Sequence, residues 1–136
     1  MRSASFALRA AVHAALTANS ALTSLLGGPR IYDQVPRGAE FPYVSYGPST
    51  ARDWSTGTEE GSEHIFALHV WTRSGGDRTT LLIMAALKDA LDEAVLMLSE
   101  YRLINLRAES EESKRESDGK TYRGIVRFRA AIEPLP

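Results

Sequence analysis

Apolar residues recur at Leu8, Val12, Leu16, Leu22 and Leu26 with alanines filling the stripe between them, which puts one apolar face on a helix from about Ser5 to Leu26. Asn19 and Ser20 compete for backbone hydrogen bonds and predict a break into a long helix and a short second turn. Gly27, Gly28 and Pro29 end the segment. Ile31-Tyr32 and Tyr43 to Tyr46 read as extended pieces, separated by a loop that holds Pro36, Gly38 and Pro42. Pro42 marks a strand start or an edge. Residues Pro48 to Ser62 contain little that is apolar except Trp54, and they predict a long mobile loop. His64 to Arg73 then reads as a strand with Phe66, Leu68 and Val70 on one face and Ile65, Ala67 and Trp71 on the other. A strand apolar on both faces lies centrally in a covered sheet or beneath a partner subunit. Asp77 is a candidate N-cap for a helix from about Arg78, with Met84, Leu87, Leu91 and Val95 facing the core and Lys88, Asp89, Asp92 and Glu93 facing water. The following "VLMLS" fits either a last turn or an extended connector.

The C-terminal third contains "RAESEESKRESDGKTYRGIVRF", Arg107 to Phe128, in which mixed charge leads through Asp-Gly into strict alternation. The apolar set is Ile104, Leu106 and Ala108 on the first arm, with Leu103 out of phase. On the second arm it is Tyr122, Val126, Phe128, Ala130 and Ile132. A two-residue Asp118-Gly119 turn would set even positions against odd ones and invert one strand. A three-residue loop, Ser117 to Gly119 with Gly119 left-handed, instead pairs Ala108 with Phe128 and Leu106 with Ala130. It also predicts Glu109 opposite Arg127 as an outer charge pair. The whole pattern predicts one α+β domain spanning residues 1–136, with a mostly antiparallel sheet, two main helices packed on one face, the order α-β-β-β-α-β-β and a long C-terminal hairpin.

Composition narrows the function. Sixteen Lys and Arg against 17 Asp and Glu leave a formal charge of −1, so bulk electrostatics does not favour DNA or an anionic membrane. The chain has no cysteine, which removes thiolate chemistry and disulfides. The Arg- and Ala-rich start, "MRSASFALRAAVHAALTANSAL", is superficially like an export or transit signal. Arg9 and His13 interrupt it, and the helical reading is preferred.

Candidate chemistry is sparse. His64 and His69 stand five residues apart in one strand and point to opposite faces, so they do not chelate one metal together without a bulge. The carboxylates Glu109, Glu111, Glu112, Glu116 and Asp118 form a solvated face with no apolar setting to raise a pKa. No nucleophile elbow and no phosphate-binding glycine loop occurs. No cofactor is called for. A small α+β enzyme with an unnamed site remains a competing reading. So does a nucleic-acid module that uses Arg123, Arg127 and Arg129 on one strand face, although Tyr122 and Phe128 have the opposite parity to the stacking platforms such a face needs. Trp54 is either a contact anchor or a side chain folded back onto its own sheet.

The succession "ALTSLLGGPRIYDQVPRGAEFPYVSYG", "HIFALHVWTRSGG", "LLIMAALKDAL" and "YRLINLRAESEESKRESDGKTYRGIVRFRA" resembles the phage tail-completion or tail-terminator family, whose relatives also occur in prophages and gene transfer agents. The pieces that carry it are Arg30 to Asp33 with Pro36, Pro42-Tyr43-Val44, Val70-Trp71-Thr72 before Gly75-Gly76, and Asp118-Gly119 with Tyr122, Gly124, Arg127 and Phe128. "DEAVLMLSEYRL" departs from the glycine-rich connector expected at that place. The resemblance implies a structural protein of a virion or phage-like particle, assembled in the bacterial cytoplasm. It implies a hexameric ring on the head-proximal end of the tail tube, which meets the tube protein below and a head-tail connector or stopper above. DNA passes through such a ring without specific binding. On this resemblance the expected subunit or tube contacts are Arg52, Trp54 and Trp71, then Glu109, Glu111, Glu112, Lys114 and Arg115 on the first hairpin arm, and Arg123, Arg127 and Arg129 on the second.

Overall fold

The apolar stripe from Leu8 to Leu26 forms two helices, α1 (Ala4–Thr17) and α2 (Ser20–Leu26), and the break falls where Asn19 caps the second. The Asn19 side chain accepts from the Leu22 amide at 3.0 Å, the short-range capping bond that makes Asn unfavourable inside a helix and favourable before one. Gly27 ends α2 in the left-handed conformation at φ 81°. The computed structural model describes residues 3–136, so Met1 and Arg2 of the leader-like stretch lie outside the described residues.

The remaining elements are β1 (Ile31–Tyr32), β2 (Tyr43–Asp53), β3 (Ser62–Thr72), α3 (Arg78–Leu91), β4 (Met97–Leu98), β5 (Tyr101–Arg115) and β6 (Tyr122–Pro134). The six strands form one sheet in the order β1-β2-β3-β6-β5-β4. Among the described residues, only the β1–β2 pair is parallel. Phe66, Leu68 and Val70 of β3 and Val126, Phe128, Ala130 and Ile132 of β6 share one face. They join Leu8, Val12, Leu16, Leu22, Leu26, Ile83, Met84, Leu87 and Leu91 of the helices in a single buried cluster. Each of these side chains except Ala130 contributes about 1.5–3 kcal/mol by leaving water. Phe66 and Phe128 stack at 5.4 Å in its middle. Where α3 crosses β6, Gly124 has no room for a side chain, because a Cβ there would stand 2.5 Å from Met84 Sδ.

Four local expectations are corrected. The mobile loop expected from Pro48 to Ser62 shrinks to residues 54–61, since Ser49 to Asp53 pair with Ser62 to Phe66 in a polar hairpin arm. The register shift between Tyr46 and Ser49 carries Pro48, which has no amide to donate, past the ladder. Val95 is not a core residue. The helix ends at Leu91, and Asp92 and Glu93 tie the chain to β5 through Asp92 Oδ1 accepting from the Ala108 amide and the Glu93 amide donating to the Leu106 carbonyl. Leu103, opposite Ile132, packs on the core, and Ile104 occupies a bulge in its stead. The expected Glu109–Arg127 pair is absent because a second bulge takes Glu109 out of the ladder and sets Ser110 opposite Arg127. Asp77 does precede α3, but its side chain makes no capping bond.

Candidate interaction surfaces

The helices cover one face of the sheet, and the other carries most of the polar residues singled out in the sequence. Alternation along β2, β3, β5 and β6 places Arg52, Trp71, Glu112, Lys114, Arg123, Arg127 and Arg129 on this outer face. Glu111 and Arg115 lie on the helix side, Glu109 in the bulge, and Trp54 in the loop beyond β2. The expected contacts are therefore split among four places.

The arginine stripe is real as an arrangement and largely neutralised as a charge. Arg129 Nε donates to Glu63 Oε2 at 2.6 Å, and Arg52 shares the same carboxylate at 3.2 Å. Arg127 reaches Glu112 at 3.4 Å, and Arg123 stands 2.9 Å from Glu116. The Arg127–Glu112 pair is exposed and contributes roughly 0–1 kcal/mol, whereas Glu63, Arg123 and Glu116 are partly buried. The consequence of these pairs is that a phosphate backbone would have to compete with a carboxylate at every stripe position, which reduces the counterion release that nucleic-acid binding requires.

At one end of this face the strands gather aromatic rings. Trp71 stacks on Tyr43 at 6.3 Å and donates through Nε1 to Ser45 Oγ at 2.9 Å. Tyr43 also meets Tyr32 at 5.8 Å and Phe41 at 5.1 Å. Two guanidinium groups lie over the cluster, Arg73 at 4.4 Å from the Phe41 ring and Arg123 at 5.2 Å from Trp71. Trp71 is thus anchored within its own chain, and only part of its ring is offered outward. The role of Tyr32 was not visible in the sequence, because the parallel β1–β2 pairing that brings it beside Tyr43 leaves no periodic signal over two residues.

The two loop ends differ in construction. Asp118 accepts from the Lys120 amide at 3.0 Å, the Thr121 amide at 2.8 Å and the Thr121 hydroxyl at 2.6 Å. Arg73 Nε donates to Thr121 Oγ1 at 2.9 Å and pins the tip to the end of β3. The Thr121 hydroxyl, then the Thr121 and Lys120 amides, hold the Asp118 carboxyl down at about 2. Gly119 is left-handed at φ 76°, as expected, but the loop holds Ser117 to Lys120 and not the expected three residues, because the Glu116 amide donates to the Thr121 carbonyl. The sequence signal for this lock is Asp-Gly-Lys-Thr, an Asx turn with a hydroxyl three residues on. In the loop at 54–61, Trp54 lies against Gly61, where a Cβ would stand 2.4 Å from Trp54 Nε1, and the residue remains 48% exposed. It covers its own hairpin and still faces outward.

His13 and His64 are hydrogen-bonded on the helix side of the sheet, and His69 stands on the other face against the Trp71 ring. His64 is buried on the helix side with Ser62 Oγ 2.8 Å from Nε2 and Ser5 Oγ 3.4 Å from Nδ1, and burial pushes its pKa down. His69 lies on the outer face; its pKa is lowered first by burial and then by Arg123, Arg127 and Lys114. His13 Nδ1 is 2.9 Å from Tyr46 Oη, and burial raises the Tyr46 pKa to about 12. Among the described residues, no three His, Asp or Glu side chains are placed to hold a metal ion.

With this geometry in view, the likenesses to other proteins are informative. A family described as "Tail completion protein gp17" matches residues 10–133. No curated protein sequence matches the chain. Among solved structures, a chain of the "Virion of native gene transfer agent (GTA) particle" is 36% identical, with a TM-score of 0.89, over 98% of this chain and 99% of that one. The match spans both helical segments and the whole sheet, including the β5–β6 hairpin. It is a likeness to a component of an assembled particle, and it agrees with surfaces built from ion pairs, rings and loop tips. The chain belongs to the tail completion protein gp17 family, a family of structural proteins of phage tails.

Proposed function

We propose that this protein caps the head-proximal end of a tail tube as a ring of six copies, ends tube polymerisation and offers the joining surface to the head connector or stopper. The observation that carries the reading is the family match over residues 10–133 together with the full-length likeness to a chain of a gene transfer agent virion. The outer sheet face supports it, since it is ordered by Glu63, Glu112 and Glu116 against the arginine stripe and lacks a convergent set of acid, base and nucleophile. A ring needs two different contact patches on each subunit, because a head-to-tail contact joins unlike surfaces. The outer face, the Trp54 loop and the hairpin arm with Glu109, Lys114 and Arg115 supply the surfaces for neighbours and tube. DNA passes the ring without a specific site. Electron microscopy of particles from a strain lacking the gene tests the reading: overlong tails, or tails without heads, are expected, and normal particles would reject it.

A further inference from the structure

The sheet is open at both sides, and its β4 edge, only two residues long, carries large apolar side chains in place of charge. Edge strands ordinarily carry charge, proline or a cover that prevents another strand from adding. In the β4 segment, Val95 is 92% and Met97 89% exposed, the two most exposed large hydrophobic residues among those described. Leu96 and Leu98 between and after them pack on the core, so Val95 and Met97 share one direction. Met97 lies opposite Arg102, which lies opposite Glu133, and this places both side chains on the outer face of the sheet. The segment is not a frayed helix end. The Glu93 amide donates to the Leu106 carbonyl at 2.7 Å, the Ala94 amide to Leu91 at 3.0 Å, and Met97-Leu98 pairs with Tyr101-Arg102.

The opposite edge has a complementary form. β1 pairs with β2 only at Val44 and Ser45, so from Ser49 to Asp53 no described strand lies on the far side of β2. Beside that stretch, on the same outer face, two shallow hollows adjoin at Thr50 and Ile65. Pro48 and Ala67 extend their floor, and Arg52 and Glu63 stand at the rim.

We propose that the β4 edge of one copy lies along the free Ser49–Asp53 edge of β2 in a second copy, so that the sheet continues from subunit to subunit and Val95 and Met97 cover the Thr50–Ile65 hollow. The inference rests on the ring reading above and assigns its subunit contact. A second copy is favoured over a different protein because protruding and recessed patches occupy the same face of one sheet at its two opposite edges. Continuing a sheet preserves its faces, and ring closure uses every copy of both patches. A foreign strand on β4 would leave the β2 edge and its hollow open.

The chain lacks cysteine, so crosslinking can be directed at will. Full-length protein carrying both Thr50→Cys and Met97→Cys is supplied to the deletion strain, and purified particles are treated with a short bismaleimide. A ladder of covalent multimers is expected from the double variant and none from either single variant. Particles that contain the double variant but give no ladder, or dimers from Met97→Cys alone, would overturn the edge contact. In a second experiment, Val95→Glu with Met97→Glu is expected to leave the melting temperature of the isolated chain unchanged, because both side chains stand in water. Incorporation into particles is expected to fall at least about tenfold. Full incorporation with normal tails sinks the edge contact and leaves the tail-completion reading intact, whereas normal tails in the strain lacking the gene sink that reading itself.

Discussion

Below Glu109 the β5–β6 hairpin pairs Leu106 with Ala130 and Ala108 with Phe128, under the helices. Above it Ser110 faces Arg127 and Arg115 faces Tyr122, and Glu111, Glu112, Lys114 and Arg115 on that arm are exposed. The lower half has a register dictated by burial, since a one-residue slip would turn Arg107 toward Phe128. The upper half has a register dictated by its turn. Glu116 bonds to Thr121 and leaves four residues, Ser117 to Lys120, in the loop. The two registers differ by one residue, and the bulge at Glu109 absorbs the difference. Core packing and turn chemistry can thus each have their way in one hairpin, provided that one exposed residue is released from the ladder between them.

Phe128→Ala tests the lower half at its strongest point. The side chain is fully buried and stacks on Phe66, so its loss should lower stability by about 3–5 kcal/mol, measured by denaturant unfolding. A loss under 1 kcal/mol would mean that burial does not fix this half. Deleting Glu109 tests the junction. Without it Ala108 still meets Phe128 and Ser110 still meets Arg127, so the ladder becomes regular and every other side chain keeps its face. The expected change in stability is roughly 1 kcal/mol or less. Unfolding of the deletion variant would show that the bulge shapes the sheet and does not merely reconcile two registers.

The same division explains what could be read from the sequence. Helix faces, the β3 strand, the lower hairpin register and the left-handed Gly119 all follow from periodicity and turn chemistry, which act over a few residues. The Arg73–Thr121–Asp118 lock joins residues 48 apart, and no local pattern announces it. The Glu109 bulge results from the difference between two separately sound registers; treating the hairpin as one ladder gives the correct lower pairs and the wrong Glu109–Arg127 pair. The β2 arm was misread because Ser49 to Asp53 have no apolar face. Val95 was misread because helical spacing continues past Leu91, although the backbone does not. For the candidate contacts, parity correctly groups the arginine stripe on one face but is silent about Glu63, the carboxylate that Arg52 and Arg129 share across strands.

The smallest expected effect is the most specific to the upper half, and it concerns the tip. The Asp118 carboxyl titrates at about 2 in the folded chain, below the ordinary 3.8, because Thr121 and Lys120 donate to its ionised form. In the interval between these values the unfolded chain binds the proton and the folded chain does not. The contribution is therefore complete above about pH 4 and is lost as pH falls through about 2. The site stands in water, so the melting temperature should scarcely respond. Hydrogen exchange at the Thr121 amide should, because protonated Asp118 is a poorer acceptor and Thr121 is then held by fewer partners. After correction for the intrinsic exchange rate, protection of Thr121 is expected to stay level from pH 7 to 4 and to fall toward pH 2. In Asp118→Asn it should be low and independent of pH, while amides of the lower half such as Ala130 keep their protection in both proteins. Equal protection of Thr121 in the variant would place the register of the upper half in the ladder itself and remove the turn as its cause.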